Sequence, residues 1–170
     1  MRPTTPEELD QVRQQCQKLV SRRALVSAAA AVVPIPGVDV STDVALLLQL
    51  IPTINERFGF SPTQLEELSP ELKKIALVGG ANFSVGLLGK IITPQLVIQV
   101  LQRLGFKKLA GKYATKYVPV LGSVIASSIS YAVLRKVGNQ HINECYQVAQ
   151  LLLEAESKTT PQNAKKLNGL

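Results

Sequence analysis

The sequence predicts an all-α fold, and three observations predict it. Four segments share one helix-start design: Thr5-Pro6-Glu7-Glu8, Ser61-Pro62-Thr63-Gln64, Ser69-Pro70-Glu71 and Thr93-Pro94-Gln95. In each, a hydroxyl residue is placed to cap free backbone N–H groups, proline takes the first helical position, and an acid or amide follows. Second, Val33-Pro34-Ile35-Pro36-Gly37 interrupts a long apolar stretch and returns in shortened form as Val118-Pro119-Val120-Leu121-Gly122. Proline cannot continue a helix and glycine permits a reversal, so Pro34, Pro36, Gly37, Pro119 and Gly122 mark two hairpin turns. Third, no segment alternates apolar and polar residues as a half-buried strand does. The reading is a single helical-bundle domain, residues 1–156, built from two helix–VPxxG–helix hairpins. A polar tail, 157–170, is expected to be disordered.

The elements follow in order. The first helix spans about Pro6 to Val33, with Leu9, Val12, Cys16, Leu19 and Val20 as its apolar stripe. Arg13, Gln14, Gln17 and Lys18 fall on its wet side. A second helix starts at Asp39 or Ser41 and ends at Phe58, with Pro52 inside it and Gly59 to stop it. Asp39 and Asp43 fit N-terminal capping better than paired catalysis, since negative charge there gains about 0.3–1 kcal/mol. A short helix near Pro62–Leu68 precedes a glycine-rich one from Pro70 to about Leu88. Pro94–Leu104 is closed by Gly105, Phe106–Tyr117 is amphipathic, and a long helix runs from about Ser123 to Glu156.

The chain has 170 residues, enough for a real core. Aromatic residues supply only 5% and Trp is absent, so that core must be mostly Leu, Ile, Val and Ala. Two cysteines are too few for a disulfide scaffold. The polar, acidic N-terminus lacks the order of a secretory signal, so a cytoplasmic setting is expected.

Net charge is +7, and its distribution is uneven. Residues 1–71 carry six basic and nine acidic side chains, and residues 144–170 carry three of each. Residues 72–143 contain no acid and ten bases: Lys73, Lys74, Lys90, Arg103, Lys107, Lys108, Lys112, Lys116, Arg135 and Lys136. Lys108, Lys112 and Lys116 recur every four residues beside an apolar face of Phe106, Leu109, Tyr113 and Tyr117. Such a stripe is a solvated face or a contact for an anionic membrane surface, where each Lys contributes about 1 kcal/mol. Lys107, Lys108, Lys112, Lys116, Arg135 and Lys136 are the candidate surface-binding residues. Nucleic acid is disfavoured because no binding motif or stacking platform accompanies them.

Two other patterns touch on chemistry. Ser84-Val-Gly86-Leu-Leu-Gly89-Lys90-Ile91 imitates a phosphate loop, but Ser84 replaces the first glycine and Ile91 the magnesium-binding hydroxyl. His141, Glu144 and Cys145 share one helix face at i, i+3 and i+4. They offer a metal site or an activated thiol, but His141 is the chain's one histidine and further ligands must come from elsewhere. A partly exposed polar face beside a buried cysteine is the plainer reading. No catalytic residue, cofactor or metal site is assigned, and the chain is read as a non-enzyme.

Membrane insertion is the main alternative. The longest charge-free runs, Ala24–Val38, Ile75–Gly89 and Tyr117–Leu134, hold 15, 15 and 18 residues. A spanning helix needs about 20, and each run contains Pro, Gly or Ser clusters. An integral hairpin protein would pack or oligomerise through Gly79, Gly80, Gly86 and Gly89.

Arg22-Arg23-Ala24, the small residues Ala28 to Ala31, Val33-Pro34-Ile35-Pro36-Gly37 with Asp39, and Arg57-Phe58-Gly59 together resemble the helical domain of unknown function 697. Tyr117-Val-Pro-Val-Leu-Gly122 and the Ser/Ala-rich residues 123–134 resemble its later half. That module commonly follows an Era-like GTPase domain, and a looser similarity extends to the helical part of the immunity-related GTPases. The resemblance covers about residues 20–150. It implies a helical module associated with GTPases and often with membranes, without chemistry of its own. No GTPase motif is present in this sequence, so the implied partner is a GTPase in trans. The function expected is a helical interaction module, cytoplasmic or peripheral at an anionic membrane. Homo-oligomerisation is left open.

Overall fold

The computed structural model describes the backbone of residues 2–32, 39–81, 86–105 and 121–167. Six helices occupy these residues: α1 Pro6–Val32, α2 Asp39–Phe58, α3 Pro62–Glu66, α4 Pro70–Ala81, α5 Pro94–Arg103 and α6 Leu121–Leu167. There is no strand among them, so the fold is an all-α bundle. Pro34, Pro36, Gly37 and Pro119 lie outside the described residues, and Gly122 falls in the first turn of α6.

All four hydroxyl-proline starts cap their helices. The backbone N–H groups of Glu8, Gln64, Leu72 and Leu96 donate to the hydroxyls of Thr5, Ser61, Ser69 and Thr93 at 3.2–3.4 Å. At α3 the box is complete, because the Ser61 N–H also donates to Gln64 Oε1 at 3.0 Å. At α1 the return bond shifts by one residue: Glu8 accepts from the Thr4 N–H at 2.8 Å and from the Thr4 hydroxyl. Those bonds favour the ionised form and hold the Glu8 carboxyl below its ordinary pKa.

Two boundaries differ from the expectation. Helix α4 ends at Ala81, and residues 86–93 are non-helical. Gly86 and Gly89 adopt φ of +55° and +69°, a left-handed backbone that cannot continue a helix. A Cβ on Gly89 would also stand 2.3 Å from Leu65 Cδ1, so this loop lies tight against α3. At the other end, α6 runs to Leu167 rather than stopping near Glu156.

Helices α1 and α6 form the main seam and run antiparallel. Arg2 pairs with Glu156, Tyr146 donates to Asp10 Oδ1 at 2.6 Å, and Arg13 donates to Asn143 Oδ1 at 3.2 Å. The Arg13 guanidinium also stacks on the Tyr146 ring, 4.6 Å from its centroid. Farther along, a Cβ on Gly138 would sit 2.7 Å from Val20 Cγ2, so only glycine allows this approach. Leu9, Cys16, Val20 and Ala24 of α1 meet Leu134, Val137, Ile142, Cys145, Val148 and Leu152 of α6. Helix α2 adds Leu47, Leu50, Ile51, Ile54 and Phe58, all essentially buried. The core is mostly aliphatic, with Phe58 and Phe60 fully buried in it. Burying each such side chain contributes about 1.5–3 kcal/mol.

Among the described residues, no helix is long and apolar enough to cross a membrane. Of the glycines assigned to oligomer packing, Gly79, Gly80 and Gly89 face neighbours within the chain. A Cβ on Gly79 would meet Val148, and one on Gly80 would meet Leu88, both at 3.3 Å.

Candidate functional site

Helix α6 displays two polar groupings less than two turns apart. The first is the His141/Glu144/Cys145 face. It is not partly exposed: His141 and Cys145 are 0% accessible and Glu144 is 5% accessible. The reason is α2, whose stripe of Ile51, Ile54 and Phe58 also carries Asn55, 2% accessible. Asn55 Nδ2 donates to the Leu87 carbonyl at 3.1 Å, which leaves its Oδ1 to accept. The His141 Nε2–H donates to that Oδ1 at 2.9 Å, and the Cys145 thiol donates to it more weakly at 3.7 Å. Glu144 Oε2 accepts from the Gly86 N–H at 3.3 Å. Helices α2 and α6 and the loop at residues 86–87 are thus pinned together through buried hydrogen bonds.

Cys, His and Asn in mutual contact superficially suggest a thiol nucleophile with its base. The geometry argues otherwise. Cys145 Sγ lies 3.6 Å from His141 Nε2, the nitrogen whose proton is committed to Asn55. His141 Nδ1 is buried and has no partner among the described residues. Protonating it would place a charge in the core, and burial pushes the imidazole pKa down from 6.5 to about 3. Burial raises the Cys145 thiol well above 9, helped by the nearby Glu144 carboxylate and Cys16. Cys16 is raised to about 11, again mainly by burial, partly offset by Arg57. Both thiols are therefore protonated and shielded, the state of structural rather than reactive cysteines. Among the described residues no three His, Cys, Asp or Glu side chains are arranged to hold a metal ion.

The second grouping is open. Gln14, Gln17, Lys18, Ser21 and Arg22 of α1 face Arg135 and Asn139 of α6 across a cleft of about 580 Å³. The positions 14, 17/18 and 21/22 recur at helical spacing, so one stripe of α1 supplies one wall, and 135 and 139 supply the other. Arg135 Nη1 donates to the Tyr131 hydroxyl at 3.0 Å, and its guanidinium lies 5.6 Å from that ring. Among the described residues no carboxylate lines the cleft.

Of the candidate surface-binding residues, Arg135 and Lys136 are exposed on α6, while Lys107, Lys108, Lys112 and Lys116 lie outside the described residues. Three members of these groupings escaped the sequence reading as site residues. Asn55 had a signal, a lone amide within an otherwise apolar helix face. Lys18 and Arg22 had one too: α1 carries no acid after Asp10.

No protein-family model matches the chain, and no solved structure matches it. Two curated proteins do. Interferon-inducible GTPase 5 of Bos taurus is 28% identical over 163 residues, 91% of this chain and 34% of the relative. Its counterpart in Rattus norvegicus is 26% identical over 148 residues, 85% of this chain and 31% of the relative. The chain spans about a third of the length of each. Of the two resemblances drawn from sequence motifs, the one to immunity-related GTPases is therefore supported. The one to domain of unknown function 697 has no matching family model behind it. This chain is similar, over most of its length, to part of a GTPase-family protein.

Proposed function

We propose that the chain is a non-enzymatic helical interaction module that acts with a GTPase at an anionic membrane surface. The observation that carries this reading is the acid-free span 72–143 with its ten cations, in a chain similar to part of a GTPase. Clustered like charge without neutralising acids raises the local potential and steers anionic partners. Arg135 and Lys136 provide its exposed edge on α6, and Lys107, Lys108, Lys112 and Lys116 would extend it. The buried, protonated thiols and the neutral imidazole support a structural rather than catalytic use of the most reactive residue types.

Co-sedimentation with vesicles tests the surface part. Phosphatidylserine-rich vesicles should retain the protein better than pure phosphatidylcholine vesicles, with the preference shrinking as salt rises. Equal recovery on both at low salt contradicts it. Titration with a purified interferon-inducible GTPase domain in its GTP- and GDP-bound forms tests the partner. Saturable binding to either form supports it, and none to both removes the GTPase from the proposal.

A further inference from the structure

We propose that the cleft between α1 and α6, walled by Lys18, Arg22 and Arg135, binds a multiply phosphorylated group. This site shares Arg135 with the diffuse surface described above but is distinct from it, since Lys18 and Arg22 lie outside the acid-free middle span. Its chemistry comes from where its walls originate. Residues 11–38 contain no Asp or Glu, and neither do residues 72–143. The antiparallel seam sets part of one acid-free stretch against part of the other, so three cations line the cleft with no carboxylate among its described residues. Lower on the same seam the balance is different, because Asp10 and Glu156 are present and engaged by Tyr146 and Arg2.

The remaining lining suits a phosphate. Gln14, Gln17, Asn139 and Ser21 supply neutral donors between the cations. Guanidinium groups grip phosphate oxygens in pairs, and ammonium adds a compact charge. Tyr131 holds the Arg135 head by a hydrogen bond and by its ring, which lowers the ordering cost of binding. At the base, Gly138 lets Val20 approach closely, so the two walls meet there. A volume of about 580 Å³ falls in the range of small-ligand sites and exceeds what one phosphate fills. Three cations likewise call for more than one phosphate. A soluble polyphosphate and a phosphorylated lipid headgroup share this chemistry.

The test titrates the full chain with pyrophosphate and with inositol trisphosphate at moderate salt, followed by amide NMR. Saturable binding is expected, with shifts gathered on residues 14–22 and 135–139. Arg22→Gln and Arg135→Gln should each weaken it by about tenfold, the loss of one charged hydrogen-bonding group. Lys74→Gln, exposed on α4 and outside the cleft, should change nothing. Arg135→Lys keeps the charge but loses the fork, so it should fall between wild type and Arg135→Gln. If the lipid headgroup is the source, inositol trisphosphate should release the protein from phosphatidylinositol bisphosphate vesicles; if the soluble anion is the source, those vesicles should hold it no better than phosphatidylserine ones. No saturable binding, shifts centred elsewhere, undiminished binding by both glutamine variants, or equal binding of polyglutamate overturns the proposal. Loss of phosphate binding in Arg22→Gln with phosphatidylserine vesicle binding intact supports the cleft as a distinct site. The reverse pattern overturns the cleft and leaves the surface reading standing.

Discussion

His141 and Arg135 stand on the same helix, less than two turns apart, and their surroundings give them opposite uses. Around His141, helix α2 and the loop at residues 86–87 close over the side chain, and every charge change is penalised. Around Arg135 and Asn139, no third element among the described residues lines the α1–α6 cleft, and Lys18, Arg22 and Arg135 are exposed. The residues that look chemical in the sequence are thus the structural ones. The residues that look like a solvated face line the open site. Burial, not residue type, makes the distinction.

The largest expected effect attacks the buried side. Asn55→Ala removes a side chain that donates to the Leu87 carbonyl and accepts from His141 and Cys145. Leaving these groups unpaired should cost about 2–4 kcal/mol in a urea melt. A loss below about 0.5 kcal/mol would mean that the pin is not closed.

Gly138→Ala tests the approach that brings the walls together. The new Cβ must displace Val20 methyls 2.7 and 2.9 Å away, at a cost of about 1–3 kcal/mol. Val20→Ala in the same chain should recover part of it, and simple additivity would contradict the contact.

Acid should weaken the fold through His141. Its pKa is near 6.5 unfolded and about 3 folded, so on acidification the unfolded chain takes up the proton first. Stability is fully present above pH 6.5 and is lost as pH falls toward 3, by up to about 1.4 kcal/mol per pH unit. Because His141 is the one histidine, His141→Gln should flatten the profile between pH 5 and about 6.5. An unchanged profile would place the imidazole in water. The thiols act at the other extreme. Their folded pKa values are raised, so their contribution is present below about 8.5 and fades as pH rises through the folded values.

The smallest effect belongs to the open side. Arg22→Gln and Lys18→Gln should change stability by less than about 0.5 kcal/mol, as exposed substitutions do. A large loss would show that the cleft cations are structural after all.

Much of the fold was legible in the chain, for identifiable reasons. The helix starts were local: a hydroxyl, a proline and an amide or acid decide a cap without help from distant residues. The α1 stripe followed from spacing alone. What was not legible depended on partners far away in sequence. The polar face of His141 looked partly exposed because nothing near it in the sequence reveals that Asn55, 86 residues before His141 and 90 before Cys145, packs there. Gly86 and Gly89 read as helix-packing glycines because a left-handed φ leaves no trace in hydrophobic period. The charge map was read along the chain, where the N-terminal 71 residues sum to a net acid. Across the seam, the same map places Lys18 and Arg22 beside Arg135, a proximity that only antiparallel packing creates.

One experiment compares the two sides of α6 directly: a pyrophosphate titration read at the side-chain and backbone signals of Lys18, Arg22, Arg135 and Asn139 together with His141 and Cys145. The account predicts saturable shifts in the first four while His141 and Cys145 stay unmoved. Shifts centred on His141 and Cys145, with Arg22 and Arg135 silent, would contradict it.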